Sequence, residues 1–120
     1  MSRILITGSA GFIGFHLSRS LLKDGVEVFG VDNINDYYDT NLKNNRLKIL
    51  HEFENFSFSK VDISNKTKIE EVFDKFKPTK VVNLAAQAGV RYSIENPYAY
   101  LDSNLIGFLN IIELCRHNNV

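Results

Sequence analysis

The segment Thr7-Gly8-Ser9-Ala10-Gly11-Phe12-Ile13-Gly14 constrains this chain more than any other. It follows a continuous apolar run, Arg3-Ile4-Leu5-Ile6-Thr7, of the kind that forms a strand buried on both faces. It leads into Ile13, Leu17 and Leu21, which recur every four residues as the stripe of a helix, with Gly25 placed to end it. Glycines at such a junction meet three needs: a tight turn, close approach of backbone to a pyrophosphate, and close packing of helix on strand. Free amides at the helix start then face the phosphates. The order strand, glycine turn, amphipathic helix predicts a dinucleotide-binding unit. The alternative is a tight turn with no ligand.

The rest of the chain repeats the alternation. Val26 to Asp32 reads as a second strand, Asn33 to Asp39 as a polar loop, and Thr40 to His51 as a helix with Leu42, Leu47 and Leu50 as its stripe. Phe56 to Val61 predicts a third strand ending at Asp62. Ser64 is placed to cap a helix carrying Ile69, Val72, Phe73 and Phe76, which Pro78 closes. Lys80 to Leu84 is a fourth strand, followed by a loop of small residues from Ala85 to Asn96. Pro97 opens one long helix, Tyr98 to His117. Leu101, Leu105, Phe108, Ile112 and Cys115 line its apolar face, and Ile106 and Leu109 widen it. A sector that wide predicts burial on more than one side. The fold class is therefore α/β, a doubly wound parallel sheet of the NAD-binding Rossmann type, with residues 1–120 forming one domain of four βα units.

Composition excludes other classes. Lys plus Arg number 14 and Asp plus Glu number 14, so no net positive field draws nucleic acid or an anionic membrane. The single cysteine, Cys115, rules out an internal disulfide, and its apolar face predicts a core role. His16, His51 and His117 are scattered and predict no metal site. There is no secretion-type leader and no apolar stretch approaching the ~18 residues of a membrane span. The expectation is a soluble, cytoplasmic protein.

In an open parallel sheet the ligand crevice lies at the carboxyl ends of the strands. Asp32 stands 18 residues after Gly14, at the end of the second strand. A carboxylate there accepts from adenosine ribose hydroxyls and repels a 2′-phosphate. No Arg or Lys follows until Lys43, so NAD is favoured over NADP. Asp62 and Ile63 end the third strand, where an adenine edge would lie; an ordinary strand-end turn is the other reading. Asn83-Leu84-Ala85-Ala86-Gln87-Ala88-Gly89 follows the fourth strand, and its small side chains let backbone approach the nicotinamide side. Lys43, Arg46 and Lys48 read as a solvated helix face. One element of hydride-transfer chemistry is missing: none of Tyr37, Tyr38, Tyr92, Tyr98 and Tyr100 has a Lys four residues on.

Thr7-Gly8-x-x-Gly11-Phe12-Ile13-Gly14, Asp32-Asn33, Asp62-Ile63, Leu84-Ala85-Ala86 and Asn104-x-x-Gly107 resemble the N-terminal half of the extended short-chain dehydrogenase/reductases, the NAD-dependent nucleotide-sugar epimerases and dehydratases. The segments Asp32 to Asp39 and Ala86 to Ser93 are similar to those of UDP-glucuronate 4-epimerases. The resemblance runs from Arg3 to Val120. It implies that Gly8, Gly11, Phe12, Ile13 and Gly14 hold the pyrophosphate, and Asp32 the adenosine ribose beside Asn33, Asn35 and Tyr37. Asp62 and Ile63 would hold adenine, Leu84, Ala85, Ala86 and Ala88 the nicotinamide side, and Asn104 would face the cofactor.

For Gln87, Arg91 and Ser93 two readings stand. Either they face the sugar or diphosphate of a UDP-sugar in the intact protein, or they are loop residues, Arg91 in a surface ion pair. The family's catalytic Ser/Thr, Tyr-x-x-x-Lys and sugar-binding domain have no counterpart here, so the chain resembles less than half of a member and is expected to be inactive alone. Other sugar epimerases, 4,6-dehydratases and a stand-alone dinucleotide module are the rival readings. With the fourth strand as an open edge, self-association through that strand and the last helix is expected.

Overall fold

The computed structural model describes residues 2–120. Its strands are β1 (Arg3–Thr7), β2 (Glu27–Asp32), β3 (Phe56–Lys60) and β4 (Lys80–Asn83). They form one parallel sheet in the order β3-β2-β1-β4. That is the first part of a doubly wound sheet, with β1 inside it and β3 and β4 at the edges. The helices are α1 (Phe12–Lys23), α2 (Thr40–Leu50), α3 (Lys66–Phe76), α4 (Tyr92–Glu95), α5 (Pro97–Tyr100) and α6 (Phe108–His117). A π-helical segment, Leu101–Gly107, joins α5 to α6. Among the described residues no helix is long and apolar enough to cross a membrane, and no group of three or more His, Cys, Asp or Glu side chains is placed to hold a metal.

The alternation along β1 divides the core in two. Ile4 and Ile6 face Phe15 and Leu22 of α1 and Leu47 and Leu50 of α2. Leu5 points the other way, with Phe29 and Val31 of β2, against Ile69, Val72, Phe73 and Phe76 of α3 and Ile111 of α6. Arg3 closes α3: its Nε donates to the Phe76 carbonyl at 2.9 Å and its guanidinium lies 4.6 Å from the Phe76 ring centre. Lys77 follows in the left-handed region (φ 54°), which ends the helix before Pro78.

Several helix faces differ from the sequence reading. In α1 the buried line is Gly14, Phe15, Ser18 and Leu22; Leu17 and Leu21 of the expected stripe are partly buried against the same core, while Ile13 is 66% exposed. The cause is Gly14. A Cβ there would be driven into the Gly8 carbonyl, so Gly14 is where helix backbone touches the turn, and that contact fixes the rotation of the helix. In α2 the buried residues are Lys43, Leu47 and Leu50, while Leu42 is exposed. The cap of α3 is Asn65, accepting from the Lys68 amide at 3.2 Å, because Ser64 is already engaged with Asp62.

The expected single long helix is broken into α5, the π-helical segment and α6, and α4 forms within the expected loop. The side that meets the sheet carries Gly107 and Ile111, with Leu114 and Cys115 partly buried. Of the face expected to be buried on more than one side, Leu101, Leu105, Phe108 and Ile112 stand exposed, as do Ile106 and Leu109 that widen it, and Cys115 is partly buried. Gly107 again sets the geometry, since a Cβ on it would run into Ile63. Burial pushes the Cys115 thiol pKa up, which keeps it an unreactive packing residue.

Two substitutions test this packing by urea denaturation. Gly14→Ala adds one methyl group and destabilises by about 2 kcal/mol or more, because backbone has to move. Ser9→Ala removes a buried hydroxyl with no hydrogen-bond partner among the described residues and leaves stability unchanged or slightly raised.

Candidate functional site

The carboxyl ends of all four strands open onto one cavity of about 530 Å³, within the range of small-ligand and cofactor sites. Its floor is the glycine turn. Thr7, fully buried, ties the ends of β1 and β4 together: its hydroxyl bonds the Asn83 side chain and accepts from the Leu84 amide at 3.0 Å and the Ala85 amide at 3.1 Å. Gly8 follows at φ +74°, a left-handed conformation, and a Cβ on it would crowd the backbone of Ala85. Within the turn most amides are committed. Gly8 and Ser9 donate to the Val31 carbonyl at 2.7 and 3.2 Å, and Gly11 donates to Gly8 at 3.0 Å. The Ala10 amide donates to Asp32 Oδ2 at 3.1 Å.

The next three amides are not committed. Among the described residues no backbone carbonyl accepts from Phe12, Ile13 or Gly14. The N-cap Gly11 has no side chain to satisfy them, and the first turn of α1 carries no acidic residue. Unpaired amides at the positive end of a helix, opening on a cavity, suit an anion.

Asp32 sits beside this turn, 5% exposed. Its Oδ1 accepts from the Ile34 amide at 2.8 Å and from Lys43 Nζ at 3.3 Å. Ile34 adopts φ 52°, an outlier for a β-branched residue, and strain of this kind costs about 1–3 kcal/mol. The Asp32 carboxylate helps to hold it there. Asn33 steadies the same loop by accepting from the Asn35 amide at 3.1 Å. Asp39 caps α2 through the Asn41 amide at 2.9 Å and brings that helix back over the loop.

The sequence reading missed what α2 carries. Lys43 is buried against Asp32, and the Arg46 Nη1 donates to the Ala10 carbonyl at 3.1 Å; both line the cavity, while Lys48 is solvated as expected. The only signal available was their spacing of three on one helix face.

At the β3 end Asp62 is exposed and its Oδ1 accepts from the Ser64 amide and hydroxyl at 2.9 and 2.7 Å. Ile63 is buried against Gly107. At the β4 end the loop is gripped by Asn104. Its Oδ1 accepts from the Gln87 amide at 2.9 Å and its Nδ2 donates to the Gln87 carbonyl at 3.1 Å. Asn104, expected to face the cofactor, thus spends its polar atoms on the loop backbone, and its neighbour Ser103 is the helix residue that lines the cavity. The Tyr37 and Tyr92 rings, centres 4.8 Å apart, join this loop to the one after β2. Tyr100 donates its hydroxyl to the Ala88 carbonyl at 2.9 Å. Burial, then Tyr37, Tyr92 and Tyr38, raise its pKa, opposite to what a tyrosine base requires.

Of the expected site residues, Gly8, Gly11, Phe12, Asp32, Asn33, Asn35, Asp62, Ile63, Leu84, Ala85, Ala86, Gln87 and Ala88 line this one cavity. Ile13 and Gly14 do not line it; they follow Phe12 in the first turn of α1. Gln87 is buried, with its Nε2 donating to the Ala88 carbonyl at 3.2 Å. Arg91 is exposed at the start of α4, and the Ser93 hydroxyl donates to the Val90 carbonyl; neither lines the cavity.

A profile of the GDP-mannose 4,6 dehydratase family matches residues 5–120. The chain belongs to this family. Its members are nucleotide-sugar epimerases and dehydratases of the extended short-chain dehydrogenase/reductase type. Protein CapI of Staphylococcus aureus is 58% identical over 118 residues, 98% of this chain and 35% of that protein. A UDP-glucuronate 4-epimerase of Thermodesulfobacterium geofontis is 48% identical over 116 residues, 97% of this chain and 36% of that protein. Among solved structures, the Bacillus cereus UDP-glucuronic acid 4-epimerase in complex with UDP-glucuronic acid and NAD superposes with a TM-score of 0.86 at 33% identity, covering 96% of this chain and 36% of that one. The chain therefore spans about a third of the length of the relatives it matches.

The Asn104 grip yields a measurable consequence. In Asn104→Ala the Gln87 amide loses its acceptor, and its hydrogen exchange, followed by NMR, accelerates while amides in β1 keep their protection.

Proposed function

We propose that this chain binds NAD and is the cofactor-holding part of a UDP-glucuronate 4-epimerase. The observation that carries this reading is the pairing, in one cavity, of a glycine turn leading into an uncapped helix start at Phe12 with a carboxylate at the end of the adjacent strand. The residues fit the dinucleotide. The glycine turn lies against the β4 end at Gly8 and against α1 at Gly14 too closely for a Cβ at either position, and its Gly8 and Gly11 line the cavity. Phe12, Ile13 and Gly14 would donate amides to the pyrophosphate, as the helix end favours. Asp32 has about four lone-pair positions, three of them occupied by Ala10, Ile34 and Lys43, so it accepts from one ribose hydroxyl rather than two. Asp62 keeps Oδ2 for the adenine amine, and Ile63 presents an apolar edge to the ring. Ala85, Ala86 and Ala88 leave room at the β4 end for the nicotinamide half.

In the whole protein, bound NAD would supply a hydride acceptor and donor for C4 of the sugar. The residues here bind, orient and exclude water. Gln87, Arg91 and Ser93 would meet the UDP-sugar once the remainder of the protein forms the other wall, and Arg91, exposed, has a fork free for carboxylate or phosphate. The proton-transferring Tyr-x-x-x-Lys is not among these residues. A 4,6-dehydratase is the second reading, favoured by the name of the matching family; two relatives of stated activity, 48% and 45% identical over 116 residues, are UDP-glucuronate 4-epimerases.

We extend the reading to self-association. Leu105, Phe108, Leu109 and Ile112 form an exposed apolar face beside the open edge of β4, and a second copy of this chain would cover both.

Titration calorimetry with NAD should give a saturable, weak binding heat, and a flat titration at millimolar nucleotide would refute the reading. The same chain incubated with NAD and UDP-glucuronate should yield no UDP-galacturonate; product above background would show that its own residues move the proton. Sedimentation velocity should show mass rising with concentration.

A further inference from the structure

The loops after β2 and β4 meet each other directly. Tyr37, on the first of them, packs its ring 4.8 Å from that of Tyr92, and Tyr92 lies 6.3 Å from Tyr100. The Tyr37 hydroxyl occupies the space that a Cβ on Gly89 would need. Tyr100 fastens the same stretch from behind, donating its hydroxyl to the Ala88 carbonyl at 2.9 Å and reaching the Gly89 carbonyl as well.

The topology says what this bridge crosses. β2 and β4 are the two neighbours of β1, so a contact between their loops passes over the end of β1, where the glycine turn is the floor of the cavity. Asn35, Tyr37 and Tyr38 line the cavity from one side, Gln87 and Ala88 from the other, while Gly89, Tyr92 and Tyr100 stand outside it. A dinucleotide reaching from Asp32 to the β4 end would lie between the turn and the bridge. Each arm also has a residue in the left-handed region, Ile34 at φ 52° and Gly89 at φ 97°, and a backbone torsion of this kind is a natural place for an arm to swing. Neither Tyr37 nor Tyr92 belongs to the two cores, so the bridge can part without disturbing the sheet.

We propose that Tyr37, resting on Gly89 and Tyr92, is a latch across the mouth of the cavity that has to part for a dinucleotide to enter or leave. The inference rests on reading the cavity as a dinucleotide site. Tyr92 and Gly89 lie outside the cavity and touch no bound ligand, so their contacts with Tyr37 set the rates of exchange and not the affinity. The time a nucleotide stays bound is then governed by an aromatic contact in which the nucleotide takes no part.

The test is stopped-flow mixing of the full chain with NADH, whose own fluorescence reports binding; the chain has no tryptophan to interfere. Association is read on mixing and dissociation on displacement by excess NAD. In Tyr92→Ala both rate constants should rise together by about two- to tenfold, the span one aromatic pair accounts for, with their ratio kept within about twofold. Tyr92→Phe keeps the ring and should retain the slow rates. Gly89→Ala, which drives a methyl group into the Tyr37 hydroxyl, should reproduce the acceleration and serves if Tyr92→Ala loses α4. The inference is overturned if neither folded variant exchanges faster, if dissociation alone accelerates and affinity falls in step, or if Tyr92→Phe is as fast as Tyr92→Ala. Should the unaltered chain bind no NADH, the dinucleotide reading falls with it; binding at unchanged rates in both variants removes this inference alone.

Discussion

Everything at the carboxyl edge of the sheet depends on one contact, the backbone of α1 against the carbonyl of Gly8 at Gly14. No side-chain atom fits between them. That approach sets how α1 rolls on the sheet, and the roll decides that Phe15 and Leu22 enter the core while Phe12 and Ile13 stay outside. The first three amides of α1 find no backbone acceptor among the described residues. A helix start normally finds a capping side chain, and Gly11 provides none. The uncapped amides are therefore built in by the choice of residue, and they are left to water or to an anion.

Around this contact the chain uses polar atoms as spacers more than as chemistry. Thr7 locks β1 to β4, Asp32 ties the turn to the loop after β2, and Asn104 grips the loop after β4 by its backbone. Each places a cavity wall without presenting a reactive group. The one tyrosine with a displaced pKa, Tyr100, is raised and donates to a carbonyl.

Much of this was legible in the residues. Buried parallel strands are continuous apolar runs, and glycine punctuation at Gly8, Gly11 and Gly14 has few physical meanings, so the sheet and its order followed from local pattern. Rotations of helices did not. The stripe of α1 held at Leu17 and Leu21 and failed at Ile13, because periodicity reports where apolar residues recur, while Gly14, with no apolar signal, decides which side is pressed deepest on the sheet. The same happened at Gly107, where the seat over Ile63 and a π-helical stretch turned Ile111 inward and left Phe108 out. Lys43 was invisible for another reason: its partner Asp32 is 11 residues away, across a loop whose course depends on a strained Ile34 and the cap at Asp39. Sequence gives the charges; only the return of α2 brings them together.

The contact of Tyr37 with Tyr92 has a mechanical meaning. These rings link the loops of the two strands that flank β1, so the opposite walls of the cavity are joined above the glycine turn. An aromatic pair of this sort contributes about 0.5–1.5 kcal/mol beyond its area, a few times the thermal energy at most. It is strong enough to make the walls fluctuate in concert and weak enough to part without unfolding either one. The two rims are thereby joined through two phenol rings as well as through the sheet below.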